Sequence, residues 1–178
     1  AQWFSIDPFE LHFSVFNGSG YDIAAAKNNL PVTYLINSKK PLIEVVNFAP
    51  AYKEELFFVH LNQKQSSYNE IKKYLKHKKA DKINEAVKQI SSITQQIINA
   101  RTLGEFEKLI LKHEDILSTV LGVPTIKEQL FTDYNAGVIK SLGAWGGDFI
   151  LATGNAEAIN YFKEKGYPTI LRYTDMIL

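Results

Sequence analysis

The stretch VIKSLGAWGGDFILAT, residues 138–153, holds two runs of strand-forming residues on either side of a glycine-rich loop. Residues 138–142 and 148–153 predict strands because apolar and β-branched side chains dominate both runs. The loop GAWGG at 143–147 is too short for a crossover helix, so the two strands must be antiparallel neighbours. The stretch therefore predicts an antiparallel sheet.

The segments around this stretch predict an α+β fold. Strands are predicted at 56–61 and 169–173, and a helix at 155–165. Residues 67–121 carry apolar residues at helical spacing, and the pairs Thr102–Glu105 and Thr125–Glu128 have the spacing of capping boxes. This order predicts helices packed on an antiparallel sheet, a layout close to a ferredoxin-like α/β sandwich.

The first fifty residues predict two short helices and a hairpin. Asp7-Pro8 is typical of a helix start, and the following helix should end near residue 16. A second, alanine-rich helix should follow Ser19-Gly20, and strands are predicted at 32–37 and 42–47. The chain opens on Ala-Gln-Trp-Phe with no cap before it, so we expect it to be part of a longer protein.

The amino-acid composition argues against several classes of protein. The 178 residues carry 20 Lys+Arg and 19 Asp+Glu, and a formal net charge of +1 argues against a general nucleic-acid binder. There is no apolar run long enough to span a membrane, and the zero cysteines exclude a disulfide scaffold and Cys-ligated zinc. We expect a cytoplasmic protein with no nucleic-acid or membrane partner.

The segment Gly18-Ser-Gly-Tyr-Asp22 is the first candidate for chemistry. Its two glycines allow a close backbone approach to a ligand, and Asp22 could act as a base toward a bound hydroxyl. The structural alternative is a helix end, a turn and an acidic residue in the next first turn, which helices favour in any case. The spacing by itself leaves both open.

The segment Lys140-Ser-Leu-Gly-Ala-Trp-Gly-Gly-Asp148 is the second candidate. It lacks the spacing of a Walker loop, and a strand follows it where a dinucleotide-binding fingerprint would have a helix. A plain glycine-rich hairpin is the alternative, although four small residues and a tryptophan exceed what a hairpin needs.

The remaining polar residues predict no further site. A lysine cluster is expected to be a solvated helix face; its members are Lys72, Lys73, Lys76, Lys78 and Lys79. The four histidines show no ligand spacing, so no metal ligands are assigned, and no cysteine or Gly-x-Ser-x-Gly motif offers a nucleophile.

Taken together, the two glycine segments resemble the motifs of the GHMP kinases, the superfamily of galactokinase, homoserine kinase, mevalonate kinase and phosphomevalonate kinase. GSGYDIAAA at residues 18–26 is similar to the segment of the phosphomevalonate kinase arm that carries an Asp near the acceptor hydroxyl. That arm's late motif reads Lys-x-Ser-Gly-Ala-Gly-Gly-Gly-Asp, and six residues of this sequence agree with it: Lys140, Gly143, Ala144, Gly146, Gly147 and Asp148. Leu142 replaces the Ser, Trp145 replaces a Gly, and Phe149, just after the motif, stands where a Cys is usual.

The resemblance implies an ATP-dependent small-molecule kinase with Mg²⁺, in which Asp22 accepts the acceptor proton and Lys140 compensates phosphate charge. It implies that backbone N–H groups line the acceptor and the transferred phosphate, and that Asp148 fixes the loop or holds Mg²⁺. The residues in these binding roles are Ser19, Gly20, Gly143, Ala144, Trp145, Gly146, Gly147 and Asp148. The acceptor would be a small metabolite such as mevalonate or a phosphomevalonate-like compound.

The resemblance also implies a domain division. Residues 1–50 would be the remnant of an N-terminal nucleotide-binding domain, and residues 51–178 the GHMP C-terminal domain. The family's glycine- and serine-rich triphosphate loop does not occur before Asn17. We therefore expect this chain by itself to be inactive, with the missing N-terminal part as its partner; a homodimer is left open.

The sequence leaves two rival functions open. One is a non-catalytic ligand-binding or assembly module on the same scaffold, with Trp145 filling the acceptor site. The other is a related decarboxylase or sugar kinase.

Overall fold

The computed structural model describes residues 6–16, 18–37, 40–63, 80–143 and 147–177. The chain divides into two compact units, which we call unit 1 (Ala1–Phe48) and unit 2 (Ala49–Leu178). Each unit is described by itself.

Unit 1 begins with two short helices whose starts have local causes. Helix α1 (Pro8–Val15) begins at Asp7, whose carboxylate accepts hydrogen bonds from the N–H groups of Phe9 at 2.7 Å and Glu10 at 3.2 Å. Helix α2 (Tyr21–Lys27) follows Gly20, which takes a left-handed conformation with φ +74°. Both helices agree with the sequence-based predictions, because capping residues and glycines act over only a few residues.

A two-stranded antiparallel hairpin completes unit 1. Strand β1 (Val32–Asn37) pairs with β2 (Lys40–Val45), so the second strand lies two residues earlier than the predicted 42–47. Pro41 falls inside β2, opposite Ile36. The Val46 N–H donates to the Pro31 carbonyl, and alternation from that bonded pair puts Pro41 at a non-hydrogen-bonded position. The missing N–H of Pro41 therefore removes no hydrogen bond between the two strands, and β2 tolerates the proline.

Unit 2 contains a four-stranded sheet. Its strands are β3 (Leu56–His60), β4 (Ile139–Ser141), β5 (Phe149–Thr153) and β6 (Ile170–Arg172), in the order β4-β5-β3-β6. All three pairings are antiparallel. The prediction that the runs on either side of the glycine loop are antiparallel neighbours is confirmed.

Five helices of unit 2 lie in the described ranges: α3 (Ala80–Asn99), α4 (Leu103–Leu121), α5 (Ile126–Leu130), α6 (Ala156–Glu164) and α7 (Tyr173–Met176). Both predicted capping boxes form, Thr102 with Glu105 at the start of α4 and Thr125 with Glu128 at the start of α5. The last of these helices was not predicted. Helix α4 ends at Gly122, whose φ of +67° suits a residue without a Cβ.

The largest apolar cluster of unit 2 lies on one side of the sheet. Alternate strand residues point into it and meet residues of α5, of α6 and of the segment between α5 and β4. The eleven buried members are Phe57, Val59, Leu61, Ile126, Phe131, Tyr134, Ile139, Ile150, Ala152, Ala158 and Phe162. The mixture of helices and antiparallel strands confirms the predicted α+β class.

Some predictions fall outside the described residues. These are the lysine cluster and the helix that was expected from residue 67 to the break near 78, together with the middle of the second glycine segment, Ala144, Trp145 and Gly146. Across the ranges that the structure describes, no helix is both long and apolar enough to cross a bilayer.

Candidate functional site

The first glycine segment is held by Tyr34, which sequence reasoning missed. The Tyr34 hydroxyl donates a hydrogen bond to the Ser19 carbonyl, and its ring meets that of Tyr21 edge-on at 5.9 Å. Gly20 is buried, and a Cβ there would lie 3.3 Å from the Phe9 ring. The segment before α2 is therefore fixed on both sides. No local signal marks Tyr34, since its position depends on how the hairpin meets α2.

Asp22 lies in the first turn of α2 with an exposed side chain. Burial and, second to it, the negative charge of Asp22 raise the pKa of Tyr34. The carboxylate is thus close enough to the Tyr34 hydroxyl to influence it, while it stays open to solvent. An exposed carboxylate on a fixed turn can accept a proton from a hydroxyl that binds beside it.

The described ends of the second glycine segment lie at the end of the sheet where β4 stops and β5 begins. Gly143 turns with φ +61° and is exposed, while Gly147 is buried. The Asp148 carbonyl accepts the Leu61 N–H at 2.8 Å, which ties the end of the segment to the residue after β3, and the Asp148 side chain is exposed. Its carboxylate can therefore reach a ligand or an ion from solvent.

Lys140, in β4 just before this loop, lies in a buried polar group that we call the Glu114 cluster: Glu114, His113, Lys140 and Ser141. Lys140 Nζ lies 3.1 Å from Glu114 Oε1, 3.3 Å from His113 Nδ1 and 3.2 Å from the Ser141 carbonyl oxygen. The other carboxylate oxygen, Glu114 Oε2, accepts both the N–H and the hydroxyl of Ser141 at 2.9 Å. Only 5% of the Glu114 side chain is exposed.

The electrostatics of this cluster favour an ionised carboxylate. Burial by itself would raise the pKa of Glu114, but His113, Lys140 and the Ser141 N–H outweigh it and lower that pKa to about 2. Sequence reasoning missed Glu114, although it left a signal. Phe106, Ile110 and Glu114 form one buried stripe of α4 at four-residue spacing, and a carboxylate in an apolar stripe needs a partner.

Asp22, Ser19 and Gly20 belong to unit 1, and Lys140, Gly143, Gly147 and Asp148 belong to unit 2. A groove of about 680 Å³ in unit 1 lies elsewhere, between α1 and β2, and none of the predicted site residues lines it. Among the described residues, no three His, Asp or Glu side chains form a group that could hold a metal ion unaided.

Comparison with solved structures identifies the fold. The structure of L. major mevalonate kinase in complex with R-mevalonate matches 96% of this chain and 59% of its own, with a TM-score of 0.65 and 16% identity. The Lin0012 protein of Listeria innocua matches 70% of this chain and 38% of its own, with a TM-score of 0.56 and 20% identity. A further mevalonate kinase structure matches 77% of this chain and 44% of its own, with a TM-score of 0.50 and 19% identity.

These likenesses show a GHMP-kinase-like fold, and at this level of identity they show the fold alone. Two of these three proteins are mevalonate kinases, so the comparisons do not single out the phosphomevalonate kinase arm of the superfamily. The chain spans between 38% and 59% of the lengths of these three proteins. No protein-family model and no curated protein sequence matches it.

Proposed function

We propose that the intact protein is an ATP-dependent small-molecule kinase of the GHMP type. Its reaction would transfer the γ-phosphoryl group of ATP to a small metabolite. The observation that carries this proposal is the fold likeness to L. major mevalonate kinase over 96% of the chain, with the GSGYDIAAA segment at the start of α2. The acceptor we propose is mevalonate or a phosphomevalonate-like compound, which would place the protein in cytoplasmic isoprenoid metabolism.

In this proposal Asp22 is the base. The acceptor oxygen forms a bond to the γ-phosphorus, the bond from that phosphorus to the β–γ bridging oxygen breaks, and ADP leaves. The proton of the acceptor hydroxyl passes to the Asp22 carboxylate, which is exposed and stands on a turn fixed by Tyr34 and Phe9. Placing this carboxylate accurately matters because phosphoryl transfer depends mainly on positioning and on charge stabilisation.

The two glycine segments would supply the binding groups. Backbone N–H groups of Ser19 and Gly20, and those of the loop from Gly143 through Ala144, Trp145 and Gly146 to Gly147, are proposed to line the acceptor and the transferred phosphate. Mg²⁺ would arrive with ATP, neutralising phosphate charge, and an exposed carboxylate such as Asp148 suits its preference for oxygen ligands.

The triphosphate loop is proposed to come from a part of the intact protein outside these 178 residues. The chain spans 59% of the length of L. major mevalonate kinase, and the sequence has no such loop before α2. Exposed apolar side chains of unit 1, such as Val15, Phe16 and Leu35, would pack against that part. The 178-residue chain by itself should then have no kinase activity.

Replacing Asp22 tests the catalytic proposal. In the intact protein, with ATP and R-mevalonate, Asp22→Asn should lower kcat by roughly 10²- to 10⁴-fold, the usual contribution of a general base. Glu10→Gln, which removes an exposed carboxylate from α1 of the same unit, should leave kcat unchanged. An Asp22→Asn protein with wild-type kcat would refute the role of Asp22.

A non-catalytic ligand-binding or assembly module is the alternative, and the sequence of the second segment favours it. Trp145 stands where the motif of the resembling family has glycine, and so large a side chain could fill an acceptor site. This alternative predicts that R-mevalonate or a related compound binds without any consumption of ATP. ATP-dependent phosphorylation of the acceptor would exclude it.

A further inference from the structure

The ammonium of Lys140 is held by neighbours within unit 2. A lysine ammonium has three N–H donors, and two oxygen acceptors lie within 3.2 Å of Lys140 Nζ: Glu114 Oε1 and the Ser141 carbonyl oxygen. The His113 nitrogen is closer to Lys140 Nζ, at 3.3 Å, than to Glu114 Oε1, at 3.6 Å. The side chains of Glu114 and His113 and the Ser141 carbonyl thus surround the ammonium of Lys140.

Glu114 accepts a hydrogen bond from the unpaired edge of strand β4. The Thr153 N–H donates to the Val138 carbonyl and the Leu142 N–H to the Phe149 carbonyl, so residues 138 and 142 bond toward β5. Alternation along an antiparallel strand turns the Ser141 N–H the other way, toward the edge of the sheet. Glu114 Oε2 accepts this N–H at 2.9 Å. The carboxylate thus takes the place of a further strand.

These contacts lie immediately before the glycine loop. Ser141 is the last residue of β4, and Gly143 begins the loop two residues later. A single carboxylate on α4 therefore fixes the backbone of Ser141 and the side chain of Lys140 together. The ion pair is largely buried, with 5% of the Glu114 side chain and 19% of the Lys140 side chain exposed, so breaking it would leave an uncompensated charge inside the protein.

We infer that Glu114 is a positioning residue, which fixes the start of the glycine loop by binding Lys140 and Ser141, and that the Lys140 ammonium belongs to this support and does not bind phosphate. The role of the loop in phosphoryl transfer rests on the proposed function. The engagement of Lys140 by Glu114 does not. This assignment differs from the role that family resemblance gives Lys140.

Lysine labelling tests the engagement of Lys140 without any need for activity. The intact protein is treated with trace acetic anhydride, and labelling is quantified by peptide mass spectrometry at Lys140 and at Lys112, an exposed lysine of the same helix as Glu114. We expect Lys140 to react on the order of tenfold more slowly, as charged hydrogen bonds of ordinary strength require. In Glu114→Gln, Lys140 should react several-fold faster than in the wild type relative to Lys112, because the ion pair is lost while its burial remains. Equal rates in the wild type would overturn the inference.

Adding MgATP to the same labelling reaction separates the two roles of Lys140. If the ammonium bound phosphate, MgATP would slow labelling at Lys140 and leave Lys112 unchanged, and that result would overturn the inference. The expected result is no change at Lys140.

Paired substitutions guard against a variant that folds poorly. Lys140→Met should lower the unfolding midpoint because it leaves the Glu114 carboxylate buried and unpaired. Adding Glu114→Gln to Lys140→Met should restore much of that loss, since glutamine can still accept from Ser141 and no charge remains. If the double variant is as unstable as the sum of the two single variants, Glu114 and Lys140 do not act as a pair.

Kinetics of the intact protein then test positioning itself. With ATP and R-mevalonate, Glu114→Gln should lower kcat several-fold with little change in the KM for ATP, and the double variant should be more active than Lys140→Met. A phosphate-binding lysine predicts the reverse, a raised KM for ATP in Lys140→Met that Glu114→Gln does not relieve. A protein with no activity would refute the proposed function, while the labelling result would still decide the present inference.

Discussion

Among the described residues, unit 1 buries two apolar side chains, Phe9 and Ala24, whereas unit 2 buries eighteen, eleven of which form one cluster. Within the described ranges, unit 1 nevertheless exposes more large apolar side chains than unit 2 does, although it is the smaller unit. Those of unit 1 are Ile6, Leu11, Val15, Phe16, Tyr21, Leu30, Leu35, Ile36, Leu42 and Val45, and those of unit 2 are Val87, Leu111, Val123, Leu171, Met176 and Ile177.

The difference follows from architecture. A two-stranded hairpin and two helices of eight and seven residues are too small to enclose a core. An isolated hairpin or a helix this short is not stable in water unless it packs against other structure. A four-stranded sheet covered by helices can. Unit 2 thus has the means to fold by its own contacts, while unit 1 offers surface for further packing.

The largest expected effect comes from comparing two phenylalanines. Phe162 is fully buried and packs against the rings of Phe57, Phe131 and Tyr134, whereas Phe16 is 63% exposed. Phe162→Ala should lower the free energy of unfolding by about 3–5 kcal/mol, and Phe16→Ala by less than about 0.5 kcal/mol. Urea unfolding of this 178-residue chain measures both. Equal losses would mean that unit 1 shares the core of unit 2.

The second effect is the pH dependence that Glu114 gives to the free energy of unfolding of unit 2. Its pKa is about 2 in the folded chain against an ordinary 4.5, so the ionised group stabilises unit 2 above about pH 4.5 and this contribution is lost as the pH falls toward 2. The contribution should be on the order of 3 kcal/mol.

Glu114→Gln is the control for this pH effect. The gap in unfolding free energy between wild type and Glu114→Gln should be widest near neutral pH and should shrink as the pH falls toward 2. The exposed Asp133, whose pKa is also lowered to about 2 by hydrogen bonds from Lys165 and Tyr161, is present in both proteins and cancels. A gap that does not change with pH would contradict the account of the cluster.

The smallest expected effect compares two helix N-caps of the same kind. Asn155 accepts the N–H groups of Glu157 and Ala158 at the start of α6, as Asp7 does for α1. Asn155→Ala should lower the unfolding free energy of unit 2 by about 1 kcal/mol. Asp7→Ala should leave it unchanged, because α1 belongs to the unit with little core. NMR signals of β3 and β5 followed through urea unfolding check both; a matching loss in Asp7→Ala would show that the two units unfold together.

Local signals in the sequence predicted most of the fold. Asp7-Pro8, the two capping boxes and Gly122 act within one helical turn, so the helices begin and end close to the predicted residues. The five-residue glycine loop predicted the antiparallel pair β4 and β5. The predicted start of β2 at residue 42 was two residues late, because Pro41 pairs within the strand at a position where no N–H is needed.

The candidate site was less predictable. Glycine segments and Asp22 stand out in the sequence by composition, but the groups that hold them come from other elements. Tyr34 reaches the Ser19 carbonyl across 15 residues and Glu114 reaches Ser141 across 27, and no local pattern encodes either contact. Only the buried position of Glu114 on an apolar helix stripe gave a hint.

Transfer of labelled phosphate tests the central claim most directly. The intact protein is incubated with Mg²⁺, R-mevalonate and ATP labelled at the γ-phosphoryl group, and labelled acceptor is separated from free phosphate. We predict ATP-dependent labelling of the acceptor, at a rate that Asp22→Asn lowers by roughly 10²- to 10⁴-fold. Binding of R-mevalonate with no labelled acceptor, or labelled acceptor formed equally well by Asp22→Asn, would contradict the account.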